Sequence, residues 1–191
     1  ILIGRKTKHS KPLPTLAYKA ERMNLIFSKG TFFYAEFMTR IFFKLIFKKC
    51  DLLFANDLDT LLPNYLVSKL KGIPIIYDSH ELFCEVPELQ KTPFKKKVWE
   101  YLEKKIVPNL KYCITVNDGI AGIFEKKYKV KFVVVRNIPE EILVSNLKRK
   151  KELGLPEDKK IILLQGAGIN IDRGAEELIE SMQYVENALL L

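Results

Sequence analysis

The stretch 74-PIIYDSHE-81 joins a short apolar run to four polar residues, and the fold class can be inferred from it. The run Pro74–Tyr77 is continuously apolar rather than alternating, which is typical of a strand covered by helices on both faces. Strands of this kind belong to parallel sheets, where ligands bind beyond the carboxyl ends. We therefore predict a buried parallel strand whose carboxyl end carries the polar residues 78–81.

Five further apolar runs have the same character: Met23–Phe27, Asp51–Ala55, Tyr112–Val116, Phe132–Val135 and Ile161–Leu164. Between them, apolar residues recur at helical spacing, for example at Leu62, Leu66 and Leu70, and again at Val98, Leu102 and Ile106. Strands that alternate with helices predict right-handed crossovers. The fold class expected is α/β, with a Rossmann-like, doubly wound parallel sheet.

Composition excludes several classes of protein. The chain has 191 residues, of which 48% are hydrophobic and 29% charged, so it is neither disordered nor collagen-like. Its three cysteines, Cys50, Cys84 and Cys113, are widely spaced and odd in number. They form neither a disulfide framework nor a paired-cysteine metal site, and we expect a reducing, cytoplasmic location.

The net charge of +9 is concentrated in the first part of the chain. Residues 1–139 contain 25 basic and 13 acidic residues, whereas residues 140–191 contain 7 and 10. A basic domain attracts anionic membrane surfaces, phosphorylated substrates or nucleic acid. No nucleic-acid recognition motif accompanies the charge, so nucleic acid is not an expected partner.

A nearly apolar segment from Thr31 to Lys49 has one narrow polar stripe, Glu36, Arg40, Lys44 and Lys48, spaced by four residues. No uncharged stretch approaches the roughly 20 residues that a membrane span requires. Two interpretations remain open. The helix is packed on most of its circumference, or it lies on a membrane surface with a basic rim.

Both ends of the sequence resemble interrupted elements, since it starts on a strand-like Ile1–Gly4 and stops in an apolar run. We expect a piece of a longer protein. The composition changes after Asn137–Pro139, where a charged run at 148–151 follows. The predicted organisation is a first domain over 1–139, a linker over 140–158, and the beginning of a second Rossmann-like domain over 159–191.

Polar residues follow four of the predicted strands, which is what a cleft along one rim of the sheet needs. We place Asp57, Glu81 and Asn117 on that rim. Helix capping is the alternative for Asp57, Asp59 and Asn117. Asp78, in turn, either joins the rim or only fixes its loop.

His80 is one of only two histidines and stands beside carboxylates on a strand-end loop. The other, His9, has no such context. A lone histidine is often structural, but this position favours a functional role. No histidine or cysteine pair has metal-ligand spacing, so we predict neither a metal site nor a bound cofactor.

A glycine-bearing loop, Gly166-Ala167-Gly168, precedes Arg173 and a predicted helix. It is not the dinucleotide fingerprint, because Ile171 stands where the third glycine belongs. Glycines that admit a close ligand, free helix N–H groups and an arginine together suit a diphosphate. Tight turns and helix packing explain the glycines equally well.

Several stretches, in order and spacing, resemble the retaining GT-B glycosyltransferases of family 4: Tyr77–Phe83, Glu85–Leu89, Thr115–Asn117 with Ile120-Ala121, Val133–Pro139 and Gly166–Met182. The resemblance extends over almost the whole chain. It implies two Rossmann-like domains, the first binding an acceptor and the second a nucleotide-sugar, and a transfer that retains configuration without a metal.

The resemblance also implies roles for single residues. His80 falls where the family contacts the transferred sugar, and Arg173 falls where a basic residue meets the donor diphosphate, beside Gly166 and Gly168. Many members have a second arginine where this chain has Ala167. The glutamate pair of the family's second domain would lie beyond the last residue, and the family's first strand and its glycine loop before the first.

Three classes of function therefore compete. The first is a retaining glycosyltransferase that acts on a glycan or lipid-linked acceptor in envelope polysaccharide synthesis, with an anionic inner membrane surface as a further partner. The second is a GT-B nucleotide-sugar epimerase, which would need acid and base carboxylates. The third is a non-catalytic binding or scaffold protein, which Ala167 favours.

Overall fold

The structure, a computed structural model, describes residues 1–139, 141, 146–166 and 174–191. They form two compact units, Ile1–Asn137 and Ile138–Leu191. Both units are α/β with parallel strands, so the predicted fold class is confirmed.

The first unit alternates strands with helices along the chain: β1 (Leu2–Arg5), β2 (Ala20–Met23), α1 (Gly30–Ile46), β3 (Leu53–Asn56), α2 (Leu58–Lys71), β4 (Ile75–Ser79), α3 (Pro87–Gln90), α4 (Pro93–Ile106), β5 (Tyr112–Thr115), α5 (Asp118–Tyr128) and β6 (Val133–Val134). Short 3₁₀ turns lie at Phe83–Glu85 and Val107–Asn109. β1 pairs with β2, and β3, β4, β5 and β6 form a second sheet in that order, with every pair parallel. The carboxyl ends of the four strands therefore share one edge.

The strand predicted at Met23–Phe27 is wrong, because β2 covers Ala20–Met23 instead. Glu21 and Arg22 are charged, so this strand does not form an apolar run in the sequence. The Glu21 carboxylate is paired with Lys44 of α1 and with Lys48, just after α1. The backbone N–H groups of Ile26 and Phe27 donate to the Glu36 carboxylate at 2.9–3.0 Å. The N–H groups of Ile26 and Phe27 are therefore bonded to a side chain and not to a neighbouring strand.

Helix α1 buries a single face, made by Phe33, Phe37, Ile41 and Leu45. Tyr34, Met38, Phe42 and Ile46 are partly buried and pack against the same core, whereas Phe32 and Phe43 are exposed. The polar stripe is engaged in ion pairs: Arg40 with Glu36 at 2.7 Å, and both Lys44 and Lys48 with Glu21 at 2.6 and 2.8 Å.

Helix α2 also turns a different face inward from the one predicted. Leu66 and Leu70 of the predicted stripe are exposed, while Leu61 and Val67 are fully buried. Asn64 lies on the buried side as well, and its amide donates to the carbonyl of Thr60 at 2.8 Å. A buried polar group with a local partner escapes hydrophobic periodicity, which explains the error.

Helices α4 and α5 are joined by a buried carboxylate. Glu103 is only 2% exposed, and it accepts hydrogen bonds from Lys127 at 2.9 Å and from the Tyr128 hydroxyl. The charge is therefore paired and hydrogen-bonded, as a buried carboxylate requires.

The second unit contains a 3₁₀ turn at Lys150–Leu153, β7 (Lys160–Ile162), α6 (Ala175–Ser181), a further turn at Met182–Tyr184, and β8 (Ala188–Leu190). β7 and β8 pair in parallel, with Lys160 opposite Ala188. The sequence predicted only one strand and one helix here, so β8 is an addition. Across the part of the chain that the structure describes, no helix is long and apolar enough to cross a membrane.

Candidate functional site

His80 lies at the carboxyl edge of the four-stranded sheet, directly after β4, and both of its ring nitrogens have partners. Nε2 is 3.0 Å from Asp78 Oδ2 and 3.1 Å from Asn56 Oδ1. Nδ1 is 3.1 Å from Nδ2 of Asn137. The imidazole is thus held by three polar side chains, with 35% of its surface exposed.

The partners define the tautomer of this ring. The Asn137 amide nitrogen is a donor, so Nδ1 accepts and carries no proton. Nε2 then carries the proton and donates to the oxygens of Asp78 and Asn56. This assignment follows from the hydrogen-bond network, and it directs the Nε2 donor at a carboxylate.

Strand register brings these residues together. In the β3–β4 pair Asn56 is opposite Asp78, and in the β4–β5 pair Ser79 is opposite Thr115. The Thr115 hydroxyl donates to the Ser79 carbonyl at 2.6 Å and fixes the end of β4. Asn137 arrives from the segment after β6, the last strand of this sheet. Parallel pairing therefore brings Asn56 beside Asp78, and the segment after β6 adds Asn137.

Asp57 holds His80 through the backbone. Its Oδ1 accepts the His80 N–H at 3.0 Å, and its own N–H donates to the Asp78 carbonyl at 2.8 Å. Asp57 makes no side-chain cap for α2, so the capping alternative does not apply. Its φ of 61° is unusual for a residue other than glycine, and such strain is tolerated where the surroundings fix the conformation.

Asp59, in the first turn of α2, has an altered pKa. Burial and then the neighbouring negative charge of Asp57 raise the pKa of Asp59 to about 6, while the positive charge of Arg5 opposes the shift. Burial, and then the negative charge of Asp59, raise the pKa of Tyr34. The rim thus includes a carboxyl that exchanges its proton close to neutral pH.

Two of the predicted rim residues use their polar groups elsewhere than on the His80 ring. Asn117 is exposed and caps α5, with its Oδ1 accepting the Ile120 N–H at 2.9 Å, so here the capping alternative holds. The Glu81 side chain is exposed, and its backbone carbonyl accepts the Ser79 hydroxyl at 2.9 Å. Among the described residues, neither side chain has a hydrogen bond to the His80 ring.

The predicted donor residues lie in the second unit. Gly166 is exposed and follows β7, whereas Gly168 and Arg173 lie outside the described residues. Within residues 1–139, 141, 146–166 and 174–191, no group of three or more histidine, cysteine, aspartate or glutamate side chains could hold a metal ion.

Sequence reasoning missed Asn56 and Asn137 as partners of the histidine, and it treated Asp59 only as a possible cap. Asn56 does follow a predicted strand, and that position was a usable signal. The contact between His80 and Asn137 spans 57 residues and has no local signature. The pKa of Asp59 depends on burial, which periodicity did not predict.

No family model matches the sequence, and no curated protein matches it. A solved structure described as the S. aureus MnaA-UDP co-structure is similar to this chain, with a TM-score of 0.45 and 16% identity. The match covers 90% of this chain and 48% of that one, so this chain spans about half the length of that protein.

Proposed function

We propose that this chain carries the acceptor-side domain of a retaining glycosyltransferase that uses a nucleotide-sugar donor. The observation that carries the proposal is the His80 imidazole, fixed by Asp78, Asn56 and Asn137 at the carboxyl edge of a parallel sheet. That edge is where α/β proteins bind ligands. The acceptor is a glycan or a lipid-linked sugar, and the cell location is cytoplasmic, peripheral to the inner membrane.

In this proposal His80 positions the sugar and does not attack it. Its Nε2–H donates to a sugar hydroxyl, or to the departing oxygen, in exchange for its contact with Asn56. Asp78 keeps the proton on Nε2, and the backbone bond from Asp57 keeps the ring in place. Holding a reactant in one geometry lowers the barrier without any proton transfer.

The donor diphosphate gathers negative charge as its bond to the sugar breaks. The glycine loop at Gly166 and Gly168, the free N–H groups at the following helix start and the Arg173 guanidinium would stabilise that charge. The proposed chemistry requires no metal ion. The nucleotide-sugar is a substrate, not a resident cofactor.

The test uses the complete protein with a panel of nucleotide-sugars, with and without glycan and lipid-linked acceptors. A transferase releases nucleoside diphosphate only when an acceptor is present, and NMR of the product shows a retained anomeric configuration. His80→Ala should lower the rate of release about 10²–10³-fold, while His9→Ala is the matched control because His9 is exposed and lies outside the site. Binding of donors with no turnover under any acceptor would instead favour a scaffold.

A nucleotide-sugar epimerase is the second candidate, and Asp59 favours it. Epimerisation at carbon needs a group that removes a proton and a group that returns one. A carboxyl with a pKa of about 6 is suited to that exchange near neutral pH. In deuterated water an epimerase would incorporate deuterium into the sugar without any acceptor, and a transferase would not.

A further inference from the structure

A cavity of about 180 Å³ lies in the first unit, between the helices α4 and α5 and the segment that follows β4. Its apolar wall is made by Leu82, Ile123 and Phe124. Phe124 is almost fully buried and stacks on Phe132 with 4.4 Å between the ring centroids, which holds this wall in place. A cavity of about 150 Å³ is enough to bind benzene, so a single six-membered ring fits here.

Glu103 gives this cavity a hydrogen-bond acceptor. Lys127 and the Tyr128 hydroxyl both donate to the same carboxylate oxygen, Oε2, and Oε1 has no hydrogen-bond partner among the described residues. In that part of the chain, Tyr77 Oη is the only fully buried side-chain polar atom without a partner. Glu103 Oε1 therefore still reaches solvent, and because Glu103 lines the cavity, this oxygen is available to a molecule inside it.

The charges around the cavity are already balanced. Lys127 pairs with Glu103 at 2.9 Å, and Lys96 pairs at 2.9 Å with Glu85, which also lines the cavity. Burial raises the pKa of the lining Cys84 thiol to about 12, so this group is neutral as well. A neutral occupant suits the cavity better than an ion, because no unpaired countercharge offsets the cost of removing an ion from water.

We propose that the cavity binds a small neutral molecule with one hydroxyl group on an apolar ring, of which phenol is the simplest example. The ring packs against Leu82, Ile123 and Phe124, and the hydroxyl donates to Glu103 Oε1. A hydroxyl also accepts, so it takes a hydrogen bond from the Lys127 ammonium, which has three donors and uses one on Glu103. A hydrogen bond to an ionised carboxylate is about twice as strong as one between neutral groups.

This site is separate from the one proposed to hold a sugar. The His80 ring bonds to Asn56, Asp78 and Asn137, and none of these residues lines the cavity. The proposal therefore does not rest on the proposed function.

The test is calorimetric titration of the 191-residue chain with phenol, toluene, anisole and benzylamine. Toluene has the shape of phenol without the hydroxyl, anisole keeps the oxygen but cannot donate, and benzylamine carries a positive charge. We expect phenol to bind about tenfold more tightly than each of the other three, because the bond to Glu103 is lost or an ion is desolvated.

One pair of variants tests the place of binding. Ile123→Trp puts a larger side chain over the cavity and should abolish phenol binding, and Ile123 is 47% exposed, so the fold tolerates the change. Ile179→Trp is the matched control, because Ile179 is 62% exposed and lies in the second unit.

A second pair tests the hydroxyl contact. Glu103→Gln replaces a charge-assisted bond with a neutral one, so the tenfold preference for phenol over toluene should fall to about threefold. Tyr128→Phe removes a donor from Oε2 of the same carboxylate and leaves Oε1 unchanged, so it should keep the full preference.

Four results would overturn the proposal. Equal binding of phenol and toluene would leave no role for Glu103 Oε1, and tighter binding of benzylamine would make this a cation site. Unchanged phenol binding by Ile123→Trp would place the ligand elsewhere. Absence of phenol binding to the unaltered chain would show that the cavity holds only water. None of these measurements involves turnover, so failure here is distinguishable from failure of the proposed function.

Discussion

Replacement of His80 by alanine should separate catalysis from folding. The change removes the side-chain hydrogen bonds to Asn56, Asp78 and Asn137 and leaves the backbone bond to Asp57 in place. Each net hydrogen bond contributes about 0.5–1.5 kcal/mol. Because the ring is 35% exposed, water replaces part of what is lost. We expect the free energy of unfolding to fall by about 1–2 kcal/mol, or roughly 2–8 °C in Tm.

The expected loss of activity is much larger. Removal of one well-placed donor from a reacting group costs about 10²–10³ in turnover. A domain with about 5–15 kcal/mol of stability stays almost fully folded after a loss of about 2 kcal/mol. Unfolding therefore cannot account for a hundredfold decrease, and His80→Gln should recover part of the turnover because its amide can still donate.

The assay is turnover of the complete protein, measured beside its thermal unfolding. Ile106→Val is the matched control, since Ile106 is buried in α4 and the change costs about 0.5–1.5 kcal/mol away from the site. Its turnover should stay unchanged. The reasoning is refuted if His80→Ala loses no more activity than Ile106→Val at an equal loss of stability.

Three further predictions concern other residues. The pKa of Asp59 is about 6 against an ordinary 3.8, so folding favours its protonated form and stability should fall as pH rises from about 4 to about 6. Asp59→Asn should remove that fall and raise the free energy of unfolding above pH 6 by about 2–3 kcal/mol, whereas exposed Asp51→Asn should not. Arg173→Ala should weaken binding of a nucleoside diphosphate to the complete protein by about 1.5–3 kcal/mol in calorimetric titration, and Arg173→Lys by less. Unchanged affinity would leave Arg173 pairing only with surface carboxylates. In vesicle co-sedimentation the complete protein should prefer anionic to neutral lipid, with each basic residue near the surface adding about 1 kcal/mol, and Phe43→Ser should weaken binding because Phe43 is exposed on α1. Equal binding to both lipids would contradict the membrane hypothesis.

Continuous apolar runs were sufficient to predict the fold class, since β3, β4, β5 and β6 all overlap predicted strands. β2 escaped prediction because it contains two charged residues, Glu21 and Arg22, and Glu21 pairs with lysines of a distant segment, which local hydropathy does not register. The inward face of α2 was predicted wrongly for a related reason. Small and polar residues such as Asn64 and Ser68 are buried there with hydrogen-bond partners close in sequence.

Part of the candidate site was likewise visible in the sequence. His80 and Asp57 were predicted from their position after strands, and the structure joins them by a hydrogen bond. Asn117 occupies the same kind of position but caps a helix, so position alone does not separate the two roles. The choice depends on strand register and on contacts across the chain, which a single sequence does not contain.

The bond between His80 and Asn137 has a consequence for how the chain leaves the first unit. Asn137 is the last residue of that unit, and Ile138 begins the next. The histidine ring therefore ties down the side chain with which the first unit ends. If His80 turns to meet a ligand as proposed, this hydrogen bond breaks and the Asn137 side chain loses its partner on the ring.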